Sequence, residues 1–325
     1  MLPSESFSLA NTDIRVPSRG LGTFQADPKV YPAGSVKDSV LQALRLGCRH
    51  IDAAFAYEWG SVEREVGEAI RESGISREEL FIVTKLHNCF HKPEDVAINM
   101  SMSLKNLNLD YVDLYLMHFP YAYKSTEGYG TQRTSDGKPV VDIPLSRAYG
   151  STWAAMEKLV DTRKTRLIVQ NWSDYSKQQK YTLPSTKSRS THIFPKKVLS
   201  SFVSLRGFTL LRIARLGGAL IPAITGRQGP GPLEDPTIIE ISRKYHKTPA
   251  QLMLCHTICR GISVIPKTNN PKRIAENFDV LFQISENDFN TLDNLMGERG
   301  ELGIRNLQTR EYLGFDNFNE EIEEP

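Results

Sequence analysis

The sequence predicts an α/β fold, a (β/α)8 TIM barrel with an N-terminal β-hairpin, and three observations favour it. Short apolar strand patterns alternate with amphipathic helical patterns between residues 20 and 160, as repeated βα units do. The chain starts with two short strand patterns around Asn11-Thr12-Asp13, a hairpin that can close one end of a barrel. Because no G-x-G-x-x-G follows a predicted strand, the alternative, a doubly wound dinucleotide-binding sheet, is disfavoured.

Each helical pattern is long enough to return the chain parallel to the preceding strand. The predicted strands are GLGTF (20–24), HIDAA (50–54), LFIVTK (80–85), YVDLYLMH (111–118) and GISVIPK (261–267). The predicted helices cover 36–47, 61–73, 93–107, 234–245, the run PAQLMLCHTIC, and 271–277. We expect one domain over residues 1–325.

Composition restricts the class of partner. The formal net charge of +2 is too small to hold nucleic acid or an anionic membrane. The chain has no signal-peptide pattern and no apolar run near the ~20 residues that a membrane helix requires, which predicts a cytoplasmic location. We expect a monomer that binds a small molecule, with neither a nucleic-acid nor a membrane partner.

The cysteines do not predict a metal site. Cys48, Cys89, Cys255 and Cys259 lack the paired spacing of zinc sites, so they are interpreted as free buried thiols.

Residues 163–231 differ from both flanks. They contain thirteen Lys or Arg residues and a single acidic residue, Asp174, and they lack regular periodicity. A basic surface for an acidic partner is one interpretation. Locally disrupted coding sequence is the favoured one, because pattern and charge change together.

Four polar side chains lie at or just after the ends of three successive predicted strands: Asp52, Tyr57, Lys85 and His118. Each alone is more often structural, but strand ends on this face of a barrel converge on one mouth. The set suits carbonyl reduction, in which hydride arriving at carbon is matched by a proton delivered to oxygen. Tyr57 would donate the proton, Lys85 would favour the phenolate, Asp52 would orient Lys85, and His118 would position the substrate oxygen.

These residues occur in HIDAAFAY, LFIVTKLHN and DLYLMHFP, and with GSVEREVGEAI they resemble the aldo-keto reductase family, in particular its fungal members. The resemblance covers residues 1–162 and about 232–300. It implies an NADPH-dependent reductase of aldehydes or ketones, with a C-terminal loop over the active site.

The predicted cofactor site lies late in the chain, in IPKTNNPKRIAEN (265–277). Cations at a strand end beside a helix N-terminus form a phosphate site, which indicates Lys267, Thr268 and Arg273. The resemblance implies that these residues hold the 2′-phosphate of NADPH, with Glu276 and Asn277 near the adenine. Further cofactor contacts are expected from Thr23, Asp52 and Asn171.

The predicted substrate-binding residues are Phe24, Trp59, His87, His118 and Phe119. Phe24, His87 and Phe119 stand where relatives often carry tryptophan, so the walls are smaller. We therefore hypothesise a substrate bulkier than a simple sugar aldehyde, such as an aldehyde or ketone of fungal secondary metabolism.

The chain departs from the family pattern in the middle third. Arg163 stands where relatives have a helix-ending glycine, Gln170 replaces a serine, and Ile213 replaces the tyrosine that stacks on nicotinamide. The fifth and seventh strands are still predicted, but the sixth is not identifiable. The alternatives to a working reductase are an impaired relative, acting as a binding module or arising from a damaged gene, and another barrel chemistry such as a Lys85-dependent isomerase.

Overall fold

The computed structural model describes residues 1–8, 14–25, 32–119, 121–168, 211–212 and 232–298. The chain divides into two compact units. The first comprises residues 1–52, 69–81 and 189–306, and the second comprises residues 53–68, 82–188 and 307–325.

The elements are short strands and mostly longer helices. The strands are β1 (Ser6–Ser8), β2 (Arg15–Pro17), β3 (Leu21–Gly22), β4 (His50–Asp52), β5 (Phe81–Leu86), β6 (Val112–Met117), β7 (Ala122–Tyr123), β8 (Val141–Asp142), β9 (Thr165–Ile168), β10 (Leu211–Arg212) and β11 (Ser263–Val264). The helices are α1 (Ser35–Arg45), α2 (Ser61–Ser73), α3 (Pro93–Leu107), α4 (Ile143–Arg147), α5 (Tyr149–Asp161), α6 (Pro236–Lys244), α7 (Pro249–Cys259), α8 (Pro271–Phe278) and α9 (Glu286–Glu298).

Parallel strands and an antiparallel hairpin make up the sheet structure of the first unit. β1 and β2 pair antiparallel, with Phe7 opposite Val16, which confirms the predicted hairpin; its turn lies outside the described residues. β3 pairs in parallel with β4, and β10 with β11. β11 also bridges in parallel to Arg19, just ahead of β3.

The core of the first unit is built by its C-terminal helices. Seven buried residues from α6, α7, α9 and the segment before α9 form one apolar cluster: Ile238, Ile241, Leu252, Cys255, Ile284, Phe289 and Leu295. A second cluster joins α7 to β11 through Leu254, Ile258 and Val264. Asp235 caps α6, and Thr248 with Gln251 forms a capping box that starts α7, so both helices begin where their sequence specifies.

The second unit contains the parallel strands β5, β6 and β9, together with the antiparallel pair β7 and β8. Every residue of β5 is buried, as expected of a strand in a parallel sheet covered on both faces. α3 and α5 pack against each other. The close approach of α2 to the end of α3 requires Gly67, because a Cβ there would lie 2.2 Å from the Leu107 carbonyl oxygen.

Most of the predicted elements are confirmed. α2, α3 and α7 have the predicted bounds, and β9 and β10 correspond to the predicted fifth and seventh strands. The strand predicted over 20–24 is reduced to β3, while α9 and the β7–β8 pair were not predicted. Most of 163–231, including the doubtful sixth strand, and the tail after residue 298 lie outside the described residues.

Candidate active site

The predicted catalytic side chains follow the carboxyl ends of three strands. β4 ends at Asp52, Lys85 is the next-to-last residue of β5, and His118 directly follows β6. Tyr57 opens the short helical turn Tyr57–Gly60 that comes after β4. Tyr57, Lys85 and His118 belong to the second unit, whereas Asp52 belongs to the first.

Lys85 lies against Tyr57. Its Nζ donates to the Tyr57 Oη at 3.4 Å and is 5.0 Å from the centre of the phenol ring. The same Nζ donates to the main-chain oxygen of Ala53 at 2.7 Å, which fixes the ammonium in place. Lys85 is only 4% and Tyr57 only 8% exposed, so little water screens the ammonium from the phenol.

His118 packs beside the same phenol and is held neutral. The ring centres of Tyr57 and His118 are 5.7 Å apart, with the rings nearly perpendicular. Burial, reinforced by the positive charge of Lys85, lowers the pKa of His118 well below its usual value. A neutral imidazole can donate one hydrogen bond, but at physiological pH it has no second proton to give up.

The predicted substrate-binding side chains of the second unit belong to a group of aromatic rings. The rings of Trp59 and His87 lie 4.7 Å apart, and Phe119 stacks on His118 at 4.8 Å. Burial lowers the pKa of His87 to about 4. The Cys89 amide donates to the His87 Nδ1 at 3.1 Å, which assigns the ring proton to Nε2.

Two predicted contact residues lie at the end of β3 in the first unit. Thr23 donates from its amide at 3.1 Å and from its hydroxyl at 2.9 Å to the main-chain oxygen of Asp52. Thr23 and Asp52 are each 2% exposed. Phe24, predicted to contact substrate, is 37% exposed.

The predicted phosphate-binding residues follow β11, also in the first unit. Lys267 is partly buried, and desolvation lowers its pKa to about 8. The Thr268 hydroxyl accepts from the Asn270 amide at 3.1 Å, and the Asn270 side chain caps α8 by accepting from the Arg273 amide at 3.1 Å. Arg273 is exposed, so its guanidinium is accessible to a ligand.

Cationic groups therefore cluster at the start of α8, whose first amides add positive potential. Glu276 lies one turn further along α8 and forms a 3.9 Å ion pair with Lys272. Asn277 is buried at 8% exposure. The donor set suits a phosphate monoester, because a desolvated ammonium gains most from a bound anion.

Of the positions in the middle third that depart from the family pattern, only Arg163 lies within the described residues. Arg163 has a φ of +57°, the left-handed conformation expected where a glycine ends a helix. The Arg163 amide donates to the Val160 oxygen and the Lys164 amide to the Leu159 oxygen, which closes α5 in a Schellman arrangement. The side chains at 170, 171 and 213 lie outside the described residues.

Sequence reasoning missed Glu63, a buried carboxylate hydrogen-bonded to Thr84, the residue before Lys85. Its two oxygens accept from the Thr84 hydroxyl at 2.6 Å and from the Asn106 amide group at 3.0 Å. Burial raises the pKa of Glu63, and the hydrogen bonds together with the charge of Lys85 oppose that rise. The sequence pattern could have indicated that Glu63 is buried, because it shares the apolar face of α2 with Val66 and Ile70 at helical spacing.

The matched family decides the class of protein. The sequence model of the Aldo/keto reductase family matches residues 19–296 of the chain. The chain belongs to this family. Among curated relatives of this aldo-keto reductase, the Aldo-keto reductase family 1 member A1 of Xenopus tropicalis is 36% identical, covering 91% of this chain and 90% of the relative. The Glycerol 2-dehydrogenase (NADP(+)) of Saccharomyces cerevisiae is 35% identical, covering 90% and 91%.

A solved structure agrees with the sequence match. The aldose reductase of Schistosoma japonicum is 30% identical, with a TM-score of 0.75, and the similarity covers 99% of this chain and 100% of that one. The predicted fold class, an α/β barrel of the (β/α)8 type, is confirmed by the family and by this structure. The predicted enzyme class, an oxidoreductase of the aldo-keto reductase family, is confirmed as well.

Within the described ranges, no helix of this aldo-keto reductase has the length and apolar character needed to cross a membrane. The same part of the chain contains no group of three or more His, Cys, Asp or Glu side chains arranged to hold a metal ion. Its cysteines are free, and Cys48, Cys89 and Cys255 are buried as predicted, whereas Cys259 is only half-buried.

Proposed function

We propose that this aldo-keto reductase reduces aldehyde or ketone groups of a small organic substrate with NADPH, and that Tyr57 is the proton donor. The observation that carries the proposal is the contact between the Lys85 ammonium and the Tyr57 phenol. A buried cation beside a phenol stabilises the phenolate, so the phenol releases its proton more readily.

The division of roles follows from charge. His118 is neutral at physiological pH, so it donates a hydrogen bond to the substrate oxygen and positions it, while Tyr57 delivers the proton. Lys85 remains fixed through the Ala53 carbonyl while the phenol loses its proton. Asp52, buried at the end of β4, is retained in this proposal as the residue that keeps Lys85 charged and oriented.

NADPH supplies the hydride when it is bound. The residues proposed to hold it are Lys267, Thr268 and Arg273 at the 2′-phosphate, Glu276 and Asn277 near the adenine, and Thr23, Asp52 and Asn171 elsewhere. The desolvated ammonium of Lys267 and the amides that open α8 support a phosphate rather than a hydroxyl at this position. The NADP(+) in the name of the yeast relative supports the same cofactor.

The substrate class is the finer part of the proposal. Trp59, His87 and Phe119 are aromatic and include no charged side chain at neutral pH, which suits an apolar carbonyl compound. We propose a substrate larger than a simple sugar aldehyde, such as an intermediate of fungal secondary metabolism. We also propose that the protein acts on such a compound as a monomer in the cytoplasm.

Replacing Tyr57 by phenylalanine tests the proposal. Tyr57→Phe keeps the ring that packs on His118 but removes the transferable proton. We expect kcat for aldehyde-dependent NADPH oxidation to fall by about 100-fold or more, with NADPH affinity unchanged. Undiminished turnover in a variant with the wild-type circular-dichroism spectrum would refute Tyr57 as the proton donor.

A further inference from the structure

The turn that follows Tyr57 has an unusual backbone. Glu58, Trp59 and Gly60 are consecutive residues with φ of +51°, +52° and +84°, all in the left-handed region. Glycine adopts this conformation freely, whereas glutamate and tryptophan do so only under strain. Strain of this kind persists where the surrounding structure imposes it, and it concentrates at functional sites.

Polar contacts constrain this turn. A Cβ at Gly60 would lie 2.1 Å from the Asn106 amide nitrogen, so the chain passes directly over that side chain. Asn106 cannot move aside cheaply, because it donates to Glu63 at 3.0 Å. The Ser61 hydroxyl also donates to the Glu58 carboxylate at 2.9 Å, which closes the turn. These contacts favour the observed conformation of the turn.

The turn carries the indole of Trp59, which is partly exposed to solvent. The ring packs on His87 at 4.7 Å with a tilt of 41°, and meets Phe55 edge-on at 6.1 Å. Even so, Trp59 is 47% exposed, a large apolar area left in water two positions from Tyr57. Strained backbone that holds an aromatic ring partly in solvent is expected where a ligand covers the ring.

We propose that Trp59 is a specificity-determining residue whose indole serves as a fixed platform for the planar aromatic part of a carbonyl substrate. Aryl aldehydes and aryl ketones would stack on the indole while their carbonyl reaches Tyr57, whereas small polyol carbonyls such as glyceraldehyde gain nothing from it. The inference rests on the proposed function, since it assigns a substrate class to the same site. His87 packs against the indole as a neutral ring, so it brings no charge to attract a polar substrate.

The test compares two probes, para-nitrobenzaldehyde and glyceraldehyde, in the full-length protein with NADPH. Trp59→Leu keeps an apolar side chain but removes the planar ring, and Trp59→Phe keeps a smaller ring. We expect Trp59→Leu to lower kcat/KM for para-nitrobenzaldehyde by about tenfold and Trp59→Phe by about threefold, as the loss or reduction of an aromatic contact predicts. For glyceraldehyde we expect a smaller loss, so the ratio of the two kcat/KM values should fall by about fivefold in Trp59→Leu and by about twofold in Trp59→Phe. Met102→Ala, which alters an exposed apolar residue on α3, is the matched control and should change neither probe.

The outcomes separate this inference from the proposed function. Equal losses for both probes, or no loss for either, would overturn the role of Trp59 while the reductase activity stands. If Trp59→Leu does not fold, Trp59→Phe decides alone, and an unchanged ratio of the two kcat/KM values counts against the platform. Wild-type protein that oxidises NADPH with neither probe overturns the proposed function itself.

Discussion

The hydroxyl of Thr84 donates to the buried carboxylate of Glu63 at 2.6 Å, one residue before Lys85. The contact ties α2 to β5, the strand that carries the proposed catalytic lysine. Asn106, at the end of α3, donates to the other oxygen of the same carboxylate. One side chain thus fixes three elements of the second unit.

Removing that carboxylate is expected to destabilise the fold. Glu63→Ala leaves the buried Thr84 hydroxyl and the half-buried Asn106 amide group without their acceptor, so the free energy of unfolding should fall by about 2–4 kcal/mol. Glu63→Gln retains one acceptor and should cost about 1 kcal/mol. Urea unfolding measures both, with the exposed Glu68→Ala on the same helix as the control. A Glu63→Ala midpoint equal to that of Glu68→Ala would contradict the prediction.

The affinity for NADPH is expected to depend on pH through Lys267. Desolvation lowers the pKa of Lys267 to about 8, so the ammonium of the free protein loses its charge as the pH rises through that value. NADPH should therefore bind more weakly above about pH 8, while NADH, which lacks the 2′-phosphate, should not. Quenching of tryptophan fluorescence provides the dissociation constants.

Lys267→Met should bind NADPH more weakly at neutral pH and lose the pH dependence. Lys272→Met removes a side chain that is 86% exposed and is the matched control. A folded protein with no quenching by NADPH at any pH would instead favour an impaired relative that binds other ligands. A pH dependence that survives Lys267→Met would assign it to another group.

Acid is expected to unfold the protein through its buried histidines. Burial lowers the pKa of His91 to about 3, from the ordinary histidine value of 6.5. Because the folded pKa is the lower one, stability is complete above about pH 6.5 and is lost as the pH falls towards 3. The loss from His91 should be on the order of a few kcal/mol.

His91→Leu should remove much of that acid sensitivity. In the described part of the chain neither ring nitrogen of His91 has a hydrogen-bond partner, so the substitution by leucine removes no hydrogen bond of the ring. The measurement is the urea midpoint at about pH 7 and about pH 4. His246→Asn, an exposed position with a φ of +53° that asparagine tolerates, should leave the difference unchanged. An equal acid-induced loss in His91→Leu and wild type would refute the assignment.

The end of α5 offers a gain in stability. Arg163 has a left-handed φ of +57°, so Arg163→Gly should raise the free energy of unfolding by about 1 kcal/mol. Asn108 ends α3 with a φ of +53°, and because asparagine tolerates this conformation, Asn108→Gly should gain less. Thermal unfolding of the two variants compares them. A destabilised Arg163→Gly would indicate that the arginine side chain contributes more than its backbone costs.

Local signals explain which elements were predictable. Pro93 at the start of α3 and Asn108 at its end mark both bounds in the sequence, and the capping box of Thr248 does the same for the start of α7. α9 was missed because its run ENDFNTLDNL is mostly polar, and its apolar residues are recognisable only once they pack against α6 and α7. The β7–β8 pair is equally dependent on tertiary contacts, since each strand has two residues.

A contact between two of the proposed site residues was predictable from the sequence, but their charge states were not. The contact between Tyr57 and Lys85 follows from their positions after consecutive strands. The neutral states of His87 and His118 depend on burial by residues distant in sequence, which no local pattern reports. The strained turn at Trp59 was equally hidden, because neither glutamate nor tryptophan favours a left-handed backbone.

Besides its 3.4 Å contact with the Tyr57 Oη, the Lys85 ammonium makes a 2.7 Å hydrogen bond to the peptide oxygen of Ala53. Every amino acid carries that oxygen. Position 53 is therefore free to vary over evolutionary time without unseating the cation, provided the new side chain fits. A substitution at position 53 would change the side chain near the Tyr57 phenol, while the hydrogen bond between the Lys85 ammonium and the main-chain oxygen of residue 53 would be kept.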